Sequence, residues 1–214
     1  CGILLATSMV GLALRPPAAE ASDLDVVISE IHYHPAEAEA GDEGDEFIEI
    51  QNPSDDAVDI SGWFLDGGIS FVFPEGASIA AGGFAVVARD VPRLEADYGL
   101  EGVWGNYDRK LSNSGDRITL RDDSGNLVDR VDYRDDPPWP ENPDGLGPSL
   151  EKTTPWSSGE DQSSWRASIP LGGTPGRANS TAEERASLPL IVKGDVWKYR
   201  KGTSEPATPV GAWA

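Results

Sequence analysis

A chain of 214 residues is long enough for one well-buried domain with flanks, or for two small ones. Its formal net charge is −20, and residues 25–179 hold 11 Lys/Arg against 31 Asp/Glu, so the whole imbalance lies in that stretch. Such a surface repels nucleic-acid phosphates and anionic lipid headgroups, which require clustered Lys/Arg, and a single cysteine, Cys1, excludes both an internal disulfide framework and a CxxC metal site.

In chain order, residues 3–14 form a short uncharged apolar run, followed by Arg15-Pro16-Pro17 and Ala19-Glu20-Ala21. That is the middle of a secretory signal with an A-x-A cleavage site, so residues 1–21 are expected to be a truncated signal peptide cut after Ala21. The run is shorter than the roughly 20 apolar residues a membrane-spanning helix needs. Secretion without stable membrane insertion is the expectation.

Strand-like runs then recur at short spacing, with turn chemistry between them, as in a sandwich or barrel. The first is 25–33, closed by His34-Pro35, and an acidic loop follows at 36–44. The second, 45–51, alternates strictly: Phe47, Glu49 and Gln51 point one way, Glu46, Ile48 and Ile50 the other. A carboxylate thus lies on each face, so the strand is half-buried or its acids are paired. The third run spans 57–65, where Gly62 beside Trp63 predicts a bulge or bend. Ile69–Phe73 and Gly83–Ala88 are further strands. Residues 91–98 carry a helical turn, with Asp90 as cap, Pro92 early and Gly99 at the stop. A loop is expected over 100–113. Asp116–Arg121 and Leu127–Tyr133 form a hairpin about Asp122-Asp123-Ser124-Gly125-Asn126. Residues 134–148 read as a long ordered loop, with short edge pieces at 149–152 and 164–166.

Five segments taken in order, ISEIHYHP (28–35), DEFIEIQNPS (45–54), VDISGWFL (58–65), LSNSGDRITL (111–120) and TPGRAN (174–179), resemble a bacterial lamin-tail domain. The resemblance covers about residues 25–179. It implies an all-β fold, an immunoglobulin-like antiparallel β-sandwich with long loops, of the kind appended to secreted or envelope proteins. Residues 180–187 read as a polar linker. The pattern at 188–214, with Ile191–Tyr199, Gly202 and Trp213, resembles the opening strand of a second β module found beside such domains, and is expected to be its truncated start.

Several residue groups invite a chemical reading. Glu30, His32 and His34 form an E-x-H-x-H triplet at zinc-ligand spacing; against it, His34 stands where the resembling family places a turn-forming Asn. Glu46 and Glu49, with Asp45 and Glu30, are the acids a paired-carboxylate hydrolase would use. In the resembling family they define the fold, so backbone N–H groups or Arg are their expected partners. Asp42, Glu43 and Asp45 in the acid-dense loop are the better candidates for calcium, the only cofactor considered; Asp122–Asn126 is explained as a turn. Trp104 and Trp139 fall in loops and form the candidate ligand platform, while loop tryptophans equally lock loops onto a core. No catalytic or cofactor-binding residue is assigned.

The expectation is a non-enzymatic interaction or adhesion module of a longer secreted or cell-surface protein, contacting a protein or a glycan. Its alternatives are an accessory domain of a secreted hydrolase or kinase-like protein whose catalytic part lies elsewhere, and a carbohydrate-binding module.

Overall fold

The computed structural model describes residues 26–36 and 44–182. The expected signal segment, most of the acidic loop and the 188–214 piece lie outside those residues. In chain order the strands are β1 (Val27–His32), β2 (Phe47–Gln51), β3 (Val58–Asp59), β4 (Phe64–Gly67), β5 (Phe71–Val72), β6 (Ser78–Ile79) and β7 (Phe84–Ala88). After helix α1 (Val91–Tyr98) come β8 (Trp104–Gly105), β9 (Gly115–Arg121), β10 (Leu127–Arg134), β11 (Pro148–Lys152) and β12 (Trp165–Leu171).

They form a six-stranded sheet in the order β12-β11-β1-β2-β7-β8, a four-stranded sheet β10-β9-β4-β5, and the small pair β3-β6. The fold is an all-β, immunoglobulin-like sandwich. Ile48 and Ile50 from β2, Leu65 from β4, Ile118 and Leu120 from β9, and Val131 and Tyr133 from β10 meet in one core, each at most 1% exposed. Burying such side chains is worth about 1.5–3 kcal/mol apiece. Tyr33 stacks on Tyr133 with ring centroids 4.6 Å apart.

Strand β1 departs from plain alternation. Its register with β2 shifts between Ile28 and Glu30, and the extra residue lets Ile28 and Ile31, three apart, both enter the core. The same bulge turns Glu30 outward. The expected third strand, 57–65, is two strands in different layers: β3 pairs with β6, and β4 with β5 and β9. Gly62, at φ 74°, makes the bend between them, a left-handed conformation that a Cβ would oppose. Two other expectations are corrected. Within 100–113, β8 pairs parallel with β7, and β11 lies inside the sheet between β1 and β12 rather than at its edge.

The outer face of the large sheet is covered too. Helix α1 begins where the Asp90 side chain accepts the Arg93 N–H at 3.2 Å and ends at Gly99, φ 65°. It packs Leu94 on Phe47, Val86 and Ala88. Beside it, the segment 172–182 crosses β1, β2 and β11 and closes the rest of that face.

Candidate functional site: a buried carboxylate row and a groove beside it

Strands β2, β1 and β11 lie side by side, with Glu30 in register with both Glu49 and Glu151. Neighbouring strands are about 4.8 Å apart, so three carboxyl groups form a row on the outer face, each 0% exposed. Uncompensated buried carboxylates are costly. Here the compensation comes from hydroxyl and N–H groups, most of them on the closing segment. Glu49 accepts from Ser29 Oγ at 2.8 Å and from the Gly176 N–H at 2.7 Å. Glu30 accepts from Ser149 Oγ and from the Thr174 N–H at 2.8 Å. Glu151 accepts from the backbone and hydroxyl groups of both Ser180 and Thr181. Asn179 Nδ2 donates to Ser29 O and Lys152 O, at 2.8 and 3.0 Å.

Proton counting sets the charge of this row. Thr174 Oγ1 lies 3.0 Å from Glu30 Oε2 and 2.8 Å from Glu151 Oε1. A hydroxyl carries one proton, so one of the two contacts is made by a carboxyl group that donates. Burial, reinforced by the nearby Glu151, pushes the pKa of Glu30 up to about 7. Burial pushes Glu49 well up as well, with Glu30 as a second cause.

Glu46, on the opposite face of β2, receives Tyr107 Oη and the Leu111 N–H, each at 3.1 Å, with Arg89 Nη1 at 3.6 Å. Backbone N–H groups thus serve all four glutamates, as buried acids on a strand require. His32 is 2% exposed, with Nδ1 3.1 Å from Asp45 O and Nε2 3.2 Å from Gly147 O. Burial pushes its pKa down to about 4, so the ring is neutral and its single N–H donates to one of these two carbonyl oxygens. His34 turns elsewhere, with Nδ1 2.5 Å from Asp144 Oδ1. The E-x-H-x-H triplet is therefore split three ways.

Asp45 forms an ion pair with Arg93 of α1, Nε to Oδ1 at 2.6 Å; Asp42 and Glu43 lie outside the described residues. Among the described residues no group of three or more His, Cys, Asp or Glu is arranged to hold a metal ion. Asp122 closes its hairpin, accepting from the Asn126 N–H and side chain, both at 2.7 Å.

The two platform tryptophans need correction. Trp139 is 8% exposed and packs 6.3 Å from Trp165, itself fully buried. Trp104 packs edge-on to Phe73 at 6.0 Å. Trp139 thus anchors its loop in the core, whereas Trp104 is half-buried against it. Among the described residues the exposed indole is Trp156, at 51%. It lines a groove of about 400 Å³ with Leu127, Asp129, Arg130, Lys152 and Glu160. Neither motif nor strand periodicity in the sequence singles out Trp156. The signal that separates it is local: Pro155 before it and Ser157-Ser158-Gly159 after it make a turn with no apolar residue to draw the ring inward.

The sandwich commits three buried acids, Glu30, Glu49 and Glu151, to hydrogen bonds with its own closing segment. Residues 19–135 match the family model of the lamin tail domain, more than half of the chain, and the protein belongs to that family, an immunoglobulin-like group not known for enzymes. No curated protein matches the chain. The matched stretch stops at residue 135, whereas the large sheet continues through β11 and β12.

Proposed function

We propose that this domain is a non-enzymatic interaction module of a secreted or cell-surface protein, contacting a protein or a glycan through its exposed loops. One observation carries the reading: the acids and the histidine that could do chemistry, Glu30, Glu46, Glu49, Glu151 and His32, are 0–2% exposed and bonded to the fold itself. A group in that state holds a loop in place and meets no substrate. The apolar run at 3–14 and the Ala19-Glu20-Ala21 cleavage pattern support secretion. The strand pattern at 188–199 supports a neighbouring β module.

The test is saturable binding. Labelled 214-residue chain, incubated with intact cells and with purified extracellular matrix, is expected to bind and to be competed off by unlabelled excess. Turnover of a glycoside, ester or phosphoester by the purified chain, abolished in Glu49→Gln at an unchanged melting midpoint, would sink the reading.

A further inference from the structure

The groove beside Lys152 combines features that no structural role absorbs. Its volume of about 400 Å³ falls within the roughly 300–1,000 Å³ of small-ligand sites. Trp156 and Leu127 on its walls are 51% and 44% exposed, in a domain whose other large aromatic side chains mostly turn inward. At its floor Lys152, 3% exposed, holds Asp129 Oδ2 at 3.2 Å, and Asp129 is fixed in turn by the Ile28 N–H at 2.9 Å. At its rim Arg130 pairs with Glu160. The Ser158 hydroxyl accepts the Glu160 N–H at 3.2 Å and keeps its own proton to give away.

Charge then selects the ligand. The chain as a whole carries −20, yet the groove's four charged groups form two matched pairs, Lys152 with Asp129 and Arg130 with Glu160. An anionic ligand finds both cations already engaged and the surrounding field repulsive. A cationic ligand finds both acids engaged. What fits is a neutral molecule with an apolar face for the indole and, on its edge, several hydroxyls able to give and accept hydrogen bonds at once. A fixed carboxylate, Asp129, beside a hydroxyl that keeps its proton, Ser158, suits such a pair of neighbouring hydroxyls, since one accepts and the other donates.

We propose that this groove is a binding site for a neutral sugar ring, stacked on Trp156, with its hydroxyls bonded to the Asp129 carboxylate, which Lys152 holds in place from beneath, and to Ser158. The proposal rests on the interaction-module reading and narrows its partner to an uncharged glycan. It replaces Trp104 and Trp139 as the aromatic platform.

The test uses the full chain on an array of neutral and anionic glycans, repeated with Trp156→Ala, Trp156→Phe and Ser158→Ala after thermal midpoints confirm folding. Trp156 and Ser158 lie on the loop outside the core, so each midpoint is expected to stay close to that of the parent. At least one neutral hexose- or N-acetylhexosamine-bearing glycan is expected to bind. Trp156→Ala should weaken it at least tenfold, Ser158→Ala two- to fivefold, and Trp156→Phe should retain most of it. Binding unchanged by Trp156→Ala, or confined to anionic glycans, overturns the proposal. If no glycan binds while a purified protein ligand does, the groove assignment fails and the module reading stands. No saturable binding of any kind overturns both.

Discussion

Glu151 and Lys152 are consecutive on β11, both nearly inaccessible to water, and their surroundings are opposites. Glu151 points to the outer face, where two other carboxyls lie across the neighbouring strands and the chain supplies hydroxyl and N–H donors in place of a cation. Lys152 points to the other side, where its counter-charge, Asp129, comes from the second sheet. The acid side is sealed by the closing segment; the basic side opens into the groove. A strand's period of two puts neighbours on different faces, and the partners available on each face decide whether a buried charge becomes a fastener or part of a site.

Breaking the sealed side has the largest expected effect. Gly173 sits at φ 81°, and a Cβ there would fall 2.0 Å from Glu30 Oε1. Gly173→Ala is therefore expected to cost about 3 kcal/mol or more, from backbone strain plus displacement of the segment, read as a lower urea midpoint. Glu151→Gln comes next. Its oxygens accept the Ser180 and Thr181 N–H groups separately, so an amide NH₂ must face a donor whichever way it turns, at about 2–3 kcal/mol.

Glu30→Gln is expected to be milder on the acid side of neutrality, where the amide imitates a carboxyl that holds its proton. Its signature is in the pH dependence. A folded pKa of about 7 against 4.5 unfolded means that Glu30's contribution is fully present below pH 4.5 and lost as pH rises to about 7. His32 acts with the opposite sign: with its pKa lowered from 6.5 to about 4, stability falls as pH drops through that interval. The two slopes partly cancel between pH 4.5 and 6.5. In Glu30→Gln, urea midpoints across this range should show a steeper loss toward acid than the parent; an identical profile would contradict the raised pKa. The smallest effect is expected at the open side. Lys152→Met leaves Asp129 holding the Ile28 and Arg130 N–H groups, so the loss should be about 1–2 kcal/mol by denaturant titration.

Much of this was legible in the chain. Alternation in 45–51 placed Ile48 and Ile50 inward and Glu49 outward, and the Asp90, Pro92 and Gly99 punctuation marked the helix. The expectation that these acids would take backbone N–H groups or Arg holds at Glu30, Glu46 and Glu49, and at Asp45, which pairs with Arg93; Glu151 was not among them. What failed shares one cause: each needed a partner distant in sequence. The split of 57–65 depends on which sheet each half joins. The inward placement of Trp139 depends on Trp165, and the central position of β11 depends on β12, neither of which leaves a periodic trace near the residue concerned.

Taken alone, the sequence determined the β class, the turns, the alternating core rows and the identity of the acids, because these follow from periodicity, glycine and proline chemistry, and solvation, all of them local. Only the tertiary structure decided that three glutamates from strands 19 and 102 residues apart along the chain, measured from Glu30 to Glu49 and from Glu49 to Glu151, stand in one row. It alone showed that the Thr174–Thr181 segment caps them and that Trp156 is exposed while Trp139 is buried. Pairing register and burial are properties of the packed sheets, set by which surfaces meet when the layers close, and no window along the chain contains them.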